Sequence, residues 1–149
     1  MSTSRGFSCT IRFPFEAPAA AAEEERESMP EVYAGRVEDY TDGRRALVRV
    51  DDRDVFVFER AGRFYAFENV CRHMGGPVGE GMLIGKVEAI LDDQQRHVGD
   101  RFSETEIHLV CPWHGWEYDI ETGICAADRR IRLRRYEAEA REGAVYVRA

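Results

Sequence analysis

Two short stretches that each carry one cysteine and one histidine constrain this chain most. The first is CRHMGGP at residues 71–77, and the second is CPWHGWEYDIETG at residues 111–123. Cysteine sulfur and histidine nitrogen are common metal ligands. The candidate ligands are therefore Cys71 and His73, followed after 37 intervening residues by Cys111 and His114. We expect the fold to bring these two Gly- and Pro-containing loops together.

Two kinds of metal centre are compatible with this ligand set. Two cysteines and two histidines can hold a structural zinc ion in a closed tetrahedral site. They can also hold a [2Fe–2S] cluster, with two thiolates on one iron and two imidazoles on the other. Gly75, Gly76 and Gly115 favour the cluster, because such loops let backbone N–H groups point at bridging sulfides. Spacing alone leaves zinc open.

The rest of the chain from residue 31 onward predicts short strands separated by turns. The segments VYAGRVEDY, RRALVRVD, DVFVFER and RFYAFEN are apolar and rich in β-branched and aromatic residues. After the second Cys/His stretch, IRLRRYEAEA and AVYVRA flank Arg141-Glu142-Gly143 and predict a closing hairpin. Strands at this spacing predict an all-β fold, an antiparallel sandwich or barrel.

The segment between the two Cys/His stretches breaks this pattern. In KVEAILDDQQRH, residues 86–97, the apolar residues Val87, Ile90 and Leu91 stand at helical spacing. They predict a short surface helix. The following HLVCP predicts a strand that leads into the second Cys/His stretch.

The chain's ends and its charge limit where it works and what it binds. Residues 1–30, rich in Ala and Glu, predict a flexible extension that includes Cys9, whereas Cys125 is expected to be a buried small apolar residue. A formal charge of −7 argues against a nucleic acid partner and suits docking against a basic protein face. We find no membrane-spanning run and no signal peptide, so we expect no membrane insertion and a cytoplasmic location with reduced thiols.

The combined motif C-x-H-x-G-G-P and C-P-W-H-G-W-E-Y-D-x-x-T-G resembles the Rieske iron–sulfur domain, over about residues 31–149. The resemblance implies an antiparallel β-sandwich with a smaller cluster-binding subdomain made of two loops. It also implies one [2Fe–2S] cluster and makes zinc a remote alternative. By the same resemblance, Cys71 and Cys111 bind the inner iron, and His73 and His114 bind the outer iron near solvent.

Four neighbouring residues indicate which class of Rieske protein the chain resembles. Cytochrome bc-type members carry a disulfide between the loops, at positions held here by Gly76 and Trp113, and a serine where Trp116 stands. The absence of this disulfide and of this serine suggests the ferredoxin-like class of aromatic-ring oxygenase systems. Tyr118 falls where high-potential members have a tyrosine whose hydroxyl donates to the sulfur of the first cysteine. The alternative is that Tyr118 is simply an aromatic residue packed in the core of the β-sandwich. We predict a potential in the lower half of the range of roughly −150 to +300 mV.

The sequence departs from the family at three further places. The stretch between the loops is longer than usual, which predicts an insertion at about residues 82–106 that includes the short helix. The loop expected to cover the cluster, residues 124–128, lacks the proline common in the family. The Arg-rich run at residues 129–135 predicts a half-buried strand with a basic face, or a docking patch. His97 and His108 are predicted to be a surface and a strand residue, not ligands of a catalytic iron.

These observations predict a one-electron transfer protein. It would take electrons from a reductase and pass them to an oxygenase-type acceptor. No catalytic site of its own is identified, so its standing as an enzyme is left open. The alternative is a tightly bound small subunit of an oxidoreductase, similar to that of nitrite reductase. A Cys2His2 zinc structural module is the remote alternative.

Overall fold

A computed structural model describes residues 30–149, and its larger sheet has six antiparallel strands. In space they follow the order β1-β9-β8-β4-β3-β2, and β1 also approaches β2, so the sheet curves into a nearly closed barrel. The predicted closing hairpin is β8–β9. The bounds of these strands are β1 Glu31–Arg36, β2 Arg45–Val50, β3 Arg53–Arg60, β4 Arg63–Glu68, β8 Arg135–Arg141 and β9 Ala144–Arg148.

A second, three-stranded antiparallel sheet carries the Cys/His stretches. It consists of β5 (Met82–Leu91), β6 (His97–Val110) and β7 (Glu117–Asp119), in that order. Residues 71–77, the first ligand loop, lie between β4 and β5, and residues 111–116, the second ligand loop, lie between β6 and β7. The predicted all-β antiparallel architecture is confirmed.

Strands β3 and β4 form a wall shared by two hydrophobic cores, because successive side chains of a strand point to opposite faces. In β3, Val55 and Val57 face one core, which we call the barrel core, and Phe56 and Phe58 face the other, the loop-side core. The loop-side core also contains Cys71, Val78, Ile107, Leu109, Cys111, Tyr118, Ile120, Cys125 and Leu133. The barrel core also contains Ala34, Tyr40, Val50, Ala66, Tyr136, Val145 and Val147.

The predicted surface helix within residues 86–97 is wrong, because this segment is part of a long β-hairpin. Strand β5 pairs with β6 along its length, and the two join through a turn in which the Asp92 carboxylate accepts two backbone N–H groups. Val87, Ile90 and Leu91 are 41%, 42% and 47% exposed. Their helical spacing had no core to pack against, so backbone pairing with β6 determined the structure.

The first predicted strand is shorter than its sequence pattern. In VYAGRVEDY, residues 32–40, the strand ends at Arg36 and a 3-10 helix follows at Val37–Gly43. The Tyr40 hydroxyl donates to the carbonyl of Ala34 at 2.6 Å. This bond folds the chain back and places the Tyr40 ring in the barrel core.

The Arg-rich run at residues 129–135 is mostly irregular, so the predicted strand is wrong there, and β8 begins only at Arg135. The apolar alternation still holds, since Leu133 is buried and Ile131 packs against the loop-side core. The backbone carbonyl of Ile131 accepts the N–H of Cys125. Pairing with the loop at residues 124–128 thus replaces pairing with a neighbouring strand.

Two further expectations concern residues 1–30 and membrane insertion. The predicted extension at residues 1–30, with Cys9, lies outside the described residues apart from Pro30. Within residues 30–149 no helix is both long and apolar enough to span a bilayer.

Candidate metal centre

The two ligand loops share one backbone geometry. The N–H of Gly75 donates to the carbonyl of Cys71 at 2.8 Å, and the N–H of Gly115 donates to the carbonyl of Cys111 at 3.0 Å. In both loops the cysteine N–H also donates to the carbonyl five residues later, at 2.8 Å. Gly75 and Gly115 have φ angles of 77° and 68°, in the left-handed region that glycine adopts without strain. The sequence therefore folds both stretches into the same tight turn.

The four predicted ligands are divided between the interior and the surface. The side chains of Cys71 and Cys111 are buried, at 3% and 2% exposure, beside each other in the loop-side core. His73 and His114 are exposed, with ring centroids 4.8 Å apart and planes at 83°. The structure thus brings the two thiols together inside and the two imidazoles together at the solvent edge.

The surroundings of Cys111 suit a sulfur that binds a metal ion. Burial raises the pKa of the Cys111 thiol, backbone N–H groups of Trp113 and His114 lower it, and the nearby Cys71 raises it further. The two N–H groups point at the sulfur, which is the arrangement expected of loops around sulfur ligands and sulfides. A metal ion replaces the thiol proton when it binds, so burial and ligation are compatible.

The donor set fits two metal ions that take two protein ligands each. Within residues 30–149, no three His, Cys, Asp or Glu side chains are grouped so that they could share a single ion. A closed zinc site needs four protein ligands around one ion. A mixed-ligand [2Fe–2S] cluster needs a pair of sulfurs on one side and a pair of imidazoles on the other. The separate sulfur and imidazole pairs fit that second requirement.

Tyr118 connects the first ligand loop to the core. Its side chain is fully buried, and its hydroxyl oxygen lies 3.2 Å from the sulfur of Cys71. The hydroxyl also accepts the backbone N–H of Arg72 at 3.2 Å. Burial raises the pKa of Tyr118, with Cys71 acting in the same direction, so the hydroxyl keeps its proton. A protonated hydroxyl can donate to a thiolate, so Tyr118 is both a core aromatic and a neighbour of the candidate ligand.

Two tryptophans pack against the ligand loops. The Trp116 indole stacks on the imidazole of His73, with ring centroids 4.6 Å apart and planes within 6°. Trp113, 58% exposed, lies across Gly76: a Cβ at Gly76 would stand 2.9 Å from the indole and 3.1 Å from the Cys111 sulfur. Ring packing therefore links the two loops at Gly76 and Trp113, the positions for which the resemblance predicted no disulfide.

The two remaining described histidines have carboxylate partners of their own. His97 is exposed and its Nε2 lies 2.8 Å from an oxygen of Asp100. His108 is buried on β6, with Nδ1 2.9 Å from an oxygen of Glu117. These are the surface and strand positions predicted for them. Cys125 is fully buried, also as predicted.

Sequence reasoning missed two residues that hold the ligand loops in place. A Cβ at Gly81 would stand 1.8 Å from the carbonyl oxygen of Val110, the residue before Cys111. The side-chain oxygen of Asn69 accepts the N–H of Gly79 at 2.7 Å. Neither contact has a local signal in the sequence, because each joins segments that meet only in the fold.

Comparison with known proteins points to one family. A model of the Rieske [2Fe-2S] domain family matches residues 31–137. A human Rieske domain-containing protein is 28% identical over 105 residues, which are 70% of this chain and 55% of that protein. The ferredoxin component of the alkene monooxygenase system of Xanthobacter autotrophicus is 22% identical over 123 residues, 83% of this chain and 84% of that protein. The chain thus spans about half of the human relative.

Solved structures share the fold. The carbazole 1,9a-dioxygenase complex of oxygenase and ferredoxin contains a chain that superposes with a TM-score of 0.57 at 24% identity, over 79% of this chain and 92% of that one. A Mycobacterium tuberculosis protein assigned as the small subunit of an NADH-dependent nitrite reductase gives 0.63 at 22% identity, over 81% and 96%. At these identities the similarity supports the fold alone.

Proposed function

This chain belongs to the Rieske [2Fe-2S] domain family, and we propose that it is a one-electron carrier whose cluster is held by the four predicted ligands. When bound, a [2Fe–2S] cluster accepts and releases one electron at a time, and neutral histidine ligands raise its potential above that of all-cysteine clusters. The proposed ligands are Cys71, His73, Cys111 and His114.

The separation of buried thiols from exposed imidazoles carries this proposal. Cys71 and Cys111 anchor the cluster from the core side, while His73 and His114 reach solvent. Outer-sphere electron transfer needs only that a partner come close to the redox-active edge. The two imidazoles would be that edge.

We propose a reductase as the electron donor and an oxygenase as the acceptor. The similarity to the Xanthobacter ferredoxin component supports this role, because it runs along most of both chains. Gly76 and Trp113 at the positions of the family's loop disulfide support the ferredoxin-like class and a potential in the lower half of the Rieske range. We place this exchange in the cytoplasm, where a cysteine outside the ligand set, such as the buried Cys125, stays reduced.

A permanent small subunit of a larger oxidoreductase is the second candidate. The β5–β6 hairpin exposes apolar side chains, including Val87, Leu91, Val98 and Phe102, at 41% to 65%. Exposed apolar patches of this kind are typical of protein interfaces. A carrier should be a stable monomer when produced alone, whereas a permanent subunit should self-associate or aggregate, and size-exclusion chromatography with light scattering separates these outcomes.

The proposed ligands are tested by matched pairs of alanine variants. Cys111→Ala and His114→Ala should lose the cluster, because each removes one of only two protein ligands on an iron. Cys125→Ala and His97→Ala should keep it, since these residues lie outside the proposed ligand set. Iron and sulfide analysis and electron paramagnetic resonance of the reduced protein measure the cluster. The wild type should give a rhombic signal with the low average g of mixed Cys/His ligation.

Two results would overturn the proposal. One is stoichiometric zinc with no reducible chromophore after anaerobic reconstitution with iron and sulfide. The other is a cluster that survives in both ligand variants, which would move the ligand set elsewhere in the chain.

A further inference from the structure

A groove of about 720 Å³ beside the first ligand loop is lined by five arginines. It lies where the segment after β7 passes the start of β3 and the first ligand loop. Among the described residues, 30–149, Glu121 is the only carboxylate that lines it. The five arginines are Arg53, Arg72, Arg132, Arg134 and Arg135.

The carboxylates near this groove do not neutralise it. Glu68 lies 2.9 Å from Arg72 and 3.8 Å from Arg53, and it is shared between them. Glu121 pairs with an arginine outside the groove, Arg63, at 3.0 Å. Asp52 also lies 3.6 Å from Arg53. Five guanidinium groups therefore stand near three carboxylates, one of which has another cation as its partner.

Three of the arginines leave positive charge unpaired. Arg132 is exposed and makes no hydrogen bond or ion pair with any residue in the described range 30–149. Arg134 lies over the ring of Tyr136 rather than on a carboxylate. Arg135 donates to the backbone carbonyl of Glu121. This concentration of positive charge belongs to a chain whose formal net charge is −7.

The groove is next to the edge that the proposed function uses. Arg72 stands between Cys71 and His73 in the first ligand loop, so its Cα is about 3.8 Å from that of each neighbour. Its backbone N–H donates to the Tyr118 hydroxyl, the same group that lies against the Cys71 sulfur. A partner seated on the arginines would therefore contact the first ligand loop at Arg72, the neighbour of the proposed ligand His73.

From this placement we propose that the arginine groove is the docking surface for the acidic face of an electron-transfer partner protein, an inference that rests on the proposed function. Complementary charge steers diffusional encounter and sets orientation, and its effect depends on salt. An acidic patch on a protein is preferred to nucleic acid as the occupant, although the net charge of −7 suits a basic partner face elsewhere on the chain, because a local patch meets only the arginines whereas a long polyanion also meets the negative remainder of the surface. Guanidinium groups pair well with carboxylates, which an acidic protein face supplies.

Charged small oxidants measure the sign of the field at this edge. The reduced holoprotein passes one electron to the anionic iron(III)–EDTA complex, or one electron to the cation hexaammineruthenium(III), in a stopped-flow experiment. Arg132→Glu should slow oxidation by the anion about threefold at low ionic strength and speed oxidation by the cation, because two unit charges change beside the probe. At 1 M salt, where the screening length is about 3 Å, the differences should vanish.

The matched control makes the same charge change far from the groove. Arg36 is exposed at the end of β1 and faces Ala144 beside the β8–β9 turn, about 20 Å along β8 from Arg135. Arg36→Glu should leave both rates almost unchanged. Equal effects of Arg132→Glu and Arg36→Glu would overturn the docking proposal while leaving the electron carrier intact.

A binding measurement tests the groove without electron transfer. The redox-inert trianion hexacyanocobaltate(III) should shift the amide resonances of residues 129–135 in NMR spectra of the wild type, and the shifts should be lost in Arg132→Glu. Shifts centred elsewhere would overturn the proposal. This readout stays informative if the cluster has other ligands than proposed, so failure of the docking surface and failure of the proposed function are distinguishable.

Discussion

At the scale of single residues, the hydroxyl of Tyr118 is placed to tune the potential of the cluster. It lies 3.2 Å from the Cys71 sulfur in a fully buried position. A hydrogen bond to a thiolate stabilises the more negative, reduced state of the cluster. Tyr118→Phe should therefore lower the midpoint potential by roughly 60 mV, the equivalent of about 1.4 kcal/mol for a one-electron couple. Protein-film voltammetry measures this shift directly.

The control removes a hydroxyl that is equally buried but remote from the ligand loops. Tyr40 is 2% exposed in the barrel core and donates to the carbonyl of Ala34. Tyr40→Phe should lower stability in the same way but leave the potential unchanged. An unchanged potential in Tyr118→Phe would mean that its hydroxyl serves only the packing of the core.

Residue-scale prediction from sequence succeeds where the information is local. Cys111 and His114 stand in one short motif, so their spacing and the following glycine could be read directly. The stacking of Trp116 on His73 and the close approach of Gly81 to Val110 join segments far apart in the chain. Such contacts depend on how two loops meet, which no local pattern encodes.

At the scale of elements, most strands of the larger sheet and its β8–β9 hairpin were predictable, whereas the β5–β6 hairpin was not. In β3 four successive apolar residues are buried because the strand has a core on each face. The shortness of this run, its β-branched and aromatic residues and the turn signals on both sides favour a strand over a helix. In the distal part of the β5–β6 hairpin, the part farthest from the ligand loops, the apolar residues are exposed. The helical spacing of Val87, Ile90 and Leu91 therefore did not correspond to a buried helix face. Hydrophobic periodicity predicts structure only where one face is buried.

The distal hairpin should be dispensable for folding. No residue from 88 to 101 belongs to either hydrophobic core, and Val87 faces Phe102 across the two strands. Deleting residues 88–101 and joining Val87 to Phe102 through Asn-Gly, which suits a two-residue hairpin turn, should change the free energy of unfolding by less than about 1 kcal/mol. Chemical denaturation measures the stability, and the visible spectrum measures cluster content.

The end of the β5–β6 hairpin nearest the ligand loops is buried, in contrast to its distal part. Leu109 on β6 is 1% exposed in the loop-side core. Leu109→Ala should cost about 2 to 5 kcal/mol, the usual range for a cavity left by a buried leucine. A truncated protein that loses its cluster or unfolds as readily as Leu109→Ala would show that the distal hairpin supports the ligand loops.

At the scale of the whole molecule, the two hydrophobic cores differ in whether they contain proposed cluster ligands. The barrel core contains none of the four proposed ligands, whereas Cys71 and Cys111 are members of the loop-side core. Strands β3 and β4 contribute side chains to both cores. The barrel core can therefore keep these two strands folded whether or not the cluster is bound. Binding of a metal centre adds to the stability only of the parts that its ligands organise.

Removal of the cluster should therefore loosen the loops and leave the barrel folded. Hydrogen–deuterium exchange with mass spectrometry should show faster exchange, by tenfold or more, at Gly75 and Gly115, whose N–H groups close the two ligand loops. Val145 and Val147, fully buried in β9, should exchange as slowly in the apoprotein as in the holoprotein. If exchange in β9 rose together with exchange in the loops, the two cores would unfold as one unit, and the cluster would organise the whole domain.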